Sequence, residues 1–194
     1  MSILCDHRMD TNKCYQLKKL GEKFEEVYSM DKVRIWAKSV LVDQEYMLVS
    51  GGMSEFALEI ENAEYINISN DTRPRVNIEL PYPIYQHAFI NINQSTFFLI
   101  GGNPKGDSRT KETHFFNRNT NEWTSGPRLR TGRCSHTAGV LIDHVTLSQH
   151  VAVVGGSSDP DGIILKSTEL LLSGENTWKK GKFCKMFCSF PPRC

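Results

Sequence analysis

The stretches that decide the fold are Tyr46-Met47-Leu48-Val49-Ser50-Gly51-Gly52, Thr96-Phe97-Phe98-Leu99-Ile100-Gly101-Gly102 and Val151-Ala152-Val153-Val154-Gly155-Gly156. Each is an apolar run closed by two glycines. The first glycines stand at 51, 101 and 155, so the intervals are 50 and 54 residues. Self-similarity at such a period marks a repeat architecture. Other landmarks keep the beat. Trp123 follows Gly101 by 22 residues and Trp178 follows Gly155 by 23, while Trp36, His87 and His136 precede their glycine pairs by 15, 14 and 19. The polar stretch Asp143–His150 accommodates the extra five.

Each unit reads as four short strands. In the middle unit His87–Asn91 is a first strand and Asn93-Gln94 a tight turn. Thr96–Ile100, rich in aromatic and branched residues, suits a strand buried on both faces. A polar loop leads to a third strand, His114–Asn117, and a polar turn to a fourth, Glu122–Thr124, stopped by Gly126-Pro127. No segment shows convincing helical periodicity beyond Leu17–Val27, where propensity is mixed. A sheet with two apolar faces must pack on neighbours of its own kind. The glycine pairs (Gly51, Gly52, Gly101, Gly102, Gly155, Gly156) allow positive φ and close approach of another segment. Trp123 and Trp178 are rigid wedges, each worth ~2–3 kcal/mol on burial. His87 and His136 recur at the repeat period and read as structural.

With these features the chain resembles a kelch-repeat β-propeller over residues 12–180. The resemblance implies an all-β fold of four-stranded antiparallel blades. It divides the chain into a partial N-terminal blade at 1–35, blades at 36–86, 87–135 and 136–180, and a cysteine-containing tail at 181–194. Three full units and a half unit imply an incomplete ring, since propellers close with about 4–8 blades. The first unit departs from the pattern, with Val76 or a neighbour where tryptophan is expected. In the N-terminal piece Lys13–Leu17 matches a third strand, Phe24 takes the tryptophan's place, and no glycine-pair strand is present.

Composition narrows the function. Lys+Arg is 23 and Asp+Glu 22, a net charge of +1, which argues against a nucleic-acid binder. No apolar run approaches the ~18 residues of a membrane span. The start, MSILCDHRMD, has no apolar signal-peptide core, which favours a cytoplasmic location. Sequons at Asn67, Asn70 and Asn93 keep an extracellular one open. Six cysteines (Cys5, Cys14, Cys134, Cys184, Cys188, Cys194) lack the two tight pairs of a zinc site, so no metal or other cofactor is expected. No G-x-S-x-G, H-E-x-x-H, P-loop or G-x-G-x-x-G occurs. Ser135 and His136, adjacent on a strand, point to opposite faces and make a poor nucleophile–base pair. Glu59, Glu61 and Glu64 read as a solvated loop and strand edge, and Ser157–Gly162 as a polar turn.

The expectation is therefore a non-catalytic recognition module. Loops emerging on one face, Gly52–Glu61, Asn103–Lys111 and Ser157–Lys166 with Pro81–Gln86 and Thr124–Arg133 beside them, carry recognition. Arg109, Arg128 and Arg130 lie in them and suit acidic groups on a protein partner. By resemblance, that partner is a ubiquitin-ligase component or substrate. The alternative is an extracellular carbohydrate- or protein-binding propeller, or a galactose-oxidase-like relative. Arg133, matched by Arg34, is expected to be structural.

Overall fold

The computed structural model describes residues 2–5, 12–17, 20–68, 76–105, 108–158 and 162–181. Among the described residues every regular element is a strand. An N-terminal sheet joins β1 (Ser2–Cys5), β2 (Lys13–Leu17) and β3 (Glu25–Ser29) in chain order. A four-stranded sheet follows, β4 (Lys38–Leu41), β5 (Tyr46–Ser50), β6 (Asn62–Asn67) and β7 (Val76–Glu79). After a two-residue strand β8 (Ile84–Tyr85) comes the second, built from β9 (Ala88–Asn93), β10 (Thr96–Ile100), β12 (Thr113–Asn117) and β13 (Glu122–Ser125). Between β10 and β12, β11 (Asn103–Pro104) pairs back with β8. The third contains β14 (Thr137–Ile142), β15 (Gln149–Val154), β18 (Thr168–Leu171) and β19 (Lys179–Gly181), and the short hairpin of β16 (Ser157–Ser158) and β17 (Ile163–Ile164) interrupts it. All pairings are antiparallel between sequence neighbours in each sheet, as in a meander.

Period-two alternation explains the apolar runs. Phe97 and Leu99 on β10 pack with Leu48, Ala63 and Ile78 of the first four-stranded sheet. Phe98 and Ile100, the alternate residues, pack with Val151, Val153, Leu171 and Trp178 of the third. A strand between two sheets needs both sets apolar, and burying each side chain is worth ~1.5–3 kcal/mol. In the same way Leu48 faces the second sheet while Met47 and Val49 face Cys14, Tyr28 and Met30 of the N-terminal part. The core is thus three seams between successive sheets, and the sheets are the units that stack.

Two tryptophans close two of the seams. Trp123 donates from Nε1 to the Glu79 carbonyl at 2.9 Å, and Trp178 to the Pro127 carbonyl at 2.8 Å, each reaching back to the preceding sheet. Trp178 also stacks on Phe98 at 6.2 Å.

Several expectations need correction. Trp36 is not the counterpart of His87 and His136. A Cβ on Gly52, Gly102 or Gly156 would meet Ala37, His87 or His136 respectively, so Ala37 holds that position. Trp36 instead shares a positive φ with Gln86 and Ser135, lies 47% exposed and stacks on Tyr85. Its bulk suits an exposed ring, whereas the seat beside the glycine admits only a close-packed side chain. Phe24 is 49% exposed and joins none of the core clusters among the described residues. Leu17–Val27 forms no helix; its described residues are the end of β2, a turn at 20–22 and the start of β3. The N-terminal piece also has a strand the sequence did not reveal, β1, paired along β2. By contrast, the expectation of Val76 or a neighbour at the tryptophan position needs no correction: Val76 stands opposite Tyr65, as Thr124 stands opposite Phe115, so the position falls on the neighbour before Val76, outside the described residues.

Candidate functional site

The loop between β5 and β6 begins at the glycine pair and folds back on itself. Met53 bridges Ile35 on one side and Glu59 on the other. Ser54 N–H donates to the Leu58 carbonyl at 2.8 Å, and Leu58 N–H donates to the Ser54 hydroxyl at 3.2 Å. Ile60 N–H then closes on the Gly52 carbonyl at 2.9 Å. At the tip Ala57 takes φ 57°, a conformation that costs a non-glycine residue ~1–2 kcal/mol. These bonds hold Phe56 and Leu58 out in solvent, 77% and 64% exposed, while Ile60 is buried.

Beneath the tip lies a cleft of about 900 Å³. The linker residues Asp31, Lys32 and Val33 form one wall, Glu55, Phe56, Leu58, Glu59 and Glu61 of the loop form another, and Pro83 and Lys105 reach in from the second four-stranded sheet's side. Asp31 is tied down. Burial raises its pKa, but Glu64 and Arg34 outweigh that and hold it below the usual carboxylate range. Lys32 Nζ lies 3.9 Å from it. The free rim therefore offers two apolar side chains among carboxylates, with lysines at the edge. In shape and charge that combination is complementary to an apolar anchor flanked by hydrogen-bonding or basic groups. Among the described residues no three His, Cys, Asp or Glu side chains come together as a metal site.

Behind the cleft the linkers are clamped to the sheets that follow them. Arg34, fully buried, donates to the carbonyls of Gly51 and Asn62 at 3.2 and 2.9 Å and lies 3.7 Å from Glu64. Burial, then Asp31, pushes the Glu64 carboxyl up; it accepts from the Tyr28 hydroxyl at 2.8 Å. Arg133 repeats the arrangement on Gly155, Ser167 and Glu169, the last at 2.6 Å. Both arginines are structural, as expected from sequence. In the middle sheet Ile84 and His114 occupy these positions, with Tyr82 edge-on to His114 at 5.4 Å.

The residues expected to bind a partner stand elsewhere. Arg128 pairs with Glu112 at 2.8 Å, Arg130 is exposed with its N–H on Glu169, and the half-buried Arg109 has its carbonyl against Gly132. None of the three lines the cleft. His87 and His136 sit in the seams between sheets, and burial lowers both to a pKa of about 3. His87 shares a 2.7 Å hydrogen bond with the Ser50 hydroxyl. Sequence reading had passed over Phe56 and Leu58. The signal was present in Glu55-Phe56-Ala57-Leu58-Glu59, where three apolar residues run together between glutamates. Cys184, Cys188 and Cys194 lie outside the described residues, while Cys134 is a buried free thiol and Cys14 is disulfide-bonded.

No protein-family model matches the chain. Over 157 residues it is 24% identical to a Rho GTPase-activating protein, gacHH, of Dictyostelium discoideum; the match takes in 76% of this chain and 10% of that protein. Among solved structures YjhT superposes with a TM-score of 0.68 at 12% identity, over 88% of this chain and 52% of that one. The chain thus spans about half of YjhT and a tenth of gacHH. With its four-stranded antiparallel sheets stacked face to face, the chain has an all-β fold of propeller type, similar to that of YjhT.

Proposed function

We propose that this chain is a non-catalytic, kelch-type propeller segment that recognises a protein partner through the loops on one face. The blades' glycine pairs and wedged tryptophans support the kelch reading. The observation that carries the binding role is the hydrogen-bonded loop that holds Phe56 and Leu58 in solvent over the cleft, at the cost of a positive φ at Ala57. A monomer gains nothing from fixing two large apolar side chains in water, whereas an interface gains anchors already ordered. A photo-crosslinking residue at position 56, compared in cells with one at Gln94 on a strand turn away from this loop, tests the reading. A partner trapped from position 56 and lost with Leu58→Ser, at unchanged melting temperature, is expected. Equal capture from both positions would count against it.

A second reading, the extracellular binding propeller, draws on Cys14. Its disulfide is of the kind that persists in oxidising compartments. Asn67 is buried and closed to a glycan, but Asn93 is exposed at a turn.

A further inference from the structure

The cleft under Phe56 and Leu58 is charged unevenly. Asp31 lies 3.1 Å from Arg34 and 3.9 Å from Lys32, so the linker wall has its counter-charges. The loop wall has none. Glu55 and Glu61 are exposed and Glu59 is half-buried, yet among the described residues none of the three forms an ion pair. Lys105, exposed on the far side, is the other cation among the lining residues. Three carboxylates thus stand against one ammonium, in a chain whose net charge is only +1.

Glu59 carries the argument furthest. Its backbone is fixed by the bridge to Met53, and the N–H of Ile60 closes on the Gly52 carbonyl. The loop's own bonds, not a counter-ion, therefore keep this side chain in the cleft wall. A carboxylate partly removed from water with no charge opposite it weakens the free protein, and an incoming cation relieves that. A guanidinium suits the place, because its planar fork meets a carboxylate through two hydrogen bonds and its stem packs on apolar neighbours. Polyanions such as nucleic acid meet the wrong sign of charge here.

We propose that the cleft takes a basic polypeptide segment, with an arginine or lysine pairing with Glu59 and a large apolar residue close to it in sequence packing on Phe56 and Leu58. This rests on the reading of the loop as a protein-docking site and adds the chemistry of what docks. Panning a random-peptide phage library on the full chain, then titrating the synthesised peptides by fluorescence anisotropy, tests it. The selected peptides are expected to combine a basic with a large apolar residue and to bind more weakly as salt rises. Binding is expected to disappear with Leu58→Ser and to weaken roughly 10-fold with Glu59→Gln. Glu55→Gln, at an exposed position, is expected to give a smaller loss and keeps the test open should Glu59→Gln disturb the loop. Peptides that need Leu58 yet carry no basic residue, or that ignore both glutamine variants, would overturn the inference and leave the docking site standing. Peptides that bind Leu58→Ser as well as the parent chain, or a library that yields no binder, would overturn both.

Discussion

At Gly101 the backbone stands at φ 56°, and an added Cβ would lie 2.8 Å from the Arg133 oxygen and 2.9 Å from the His136 ring. Neither neighbour is a flexible side-chain end, because the carbonyl is held by Gly102 and the ring is packed in the seam. Gly139 lies on β14 with nothing within 4 Å of a Cβ and without a positive φ. Gly101→Val is therefore expected to cost about 3 kcal/mol or more in urea unfolding, from strain and overpacking together, while Gly139→Ala stays within about 0.5 kcal/mol. Similar midpoints for the two would show that the glycine pair does not set the joint. The buried ion pairs teach a related lesson. Arg34 and Arg133 keep carboxylates beside them, and the blade with Ile84 in the arginine's place has His114 instead of glutamate. Losing both charges together leaves no buried carboxylate orphaned, which losing one would do.

The strand is the next scale. Thr96–Ile100 was legible because a strand sandwiched between sheets must be apolar on every residue, a pattern that needs no partner to be recognised. The β1 strand and the loss of Phe24 from the core were not legible, because weak strands are defined by what pairs with them. The tryptophans are legible in position but not in weight. Trp178 is 2% exposed and stacks on Phe98, whereas Trp123 is only half-buried. Trp178→Ala is expected to destabilise by ~3–5 kcal/mol and Trp123→Ala by clearly less, read from thermal or urea unfolding. The reverse order would contradict the packing described for the two seams.

For the whole molecule, pH acts through the joints. His87 and His136 each lie between blades, and burial lowers both from 6.5 to about 3. The folded state holds them neutral while the unfolded chain takes up a proton at each below about pH 6.5. Their contribution to stability is therefore fully present above that value and is lost as pH falls toward 3. The slope approaches ~1.4 kcal/mol per pH unit for each histidine. The urea midpoint is expected to hold between pH 8 and 7 and to fall steeply from pH 6 to 5. A flat midpoint across that range would mean the rings reach solvent.

The sequence by itself determined the repeat, the four-strand unit and the residues of the seams. Those follow from hydrophobic period, glycine pairs and aromatic spacing, which are local properties of the chain. Tertiary structure alone decided that Ala37 rather than Trp36 matches the histidines, that Arg128 is paired with Glu112 and that Phe56 and Leu58 overhang a cleft. A register between strands, an ion pair across a loop and a cavity among three segments depend on which parts meet in space, and no spacing along one chain contains that.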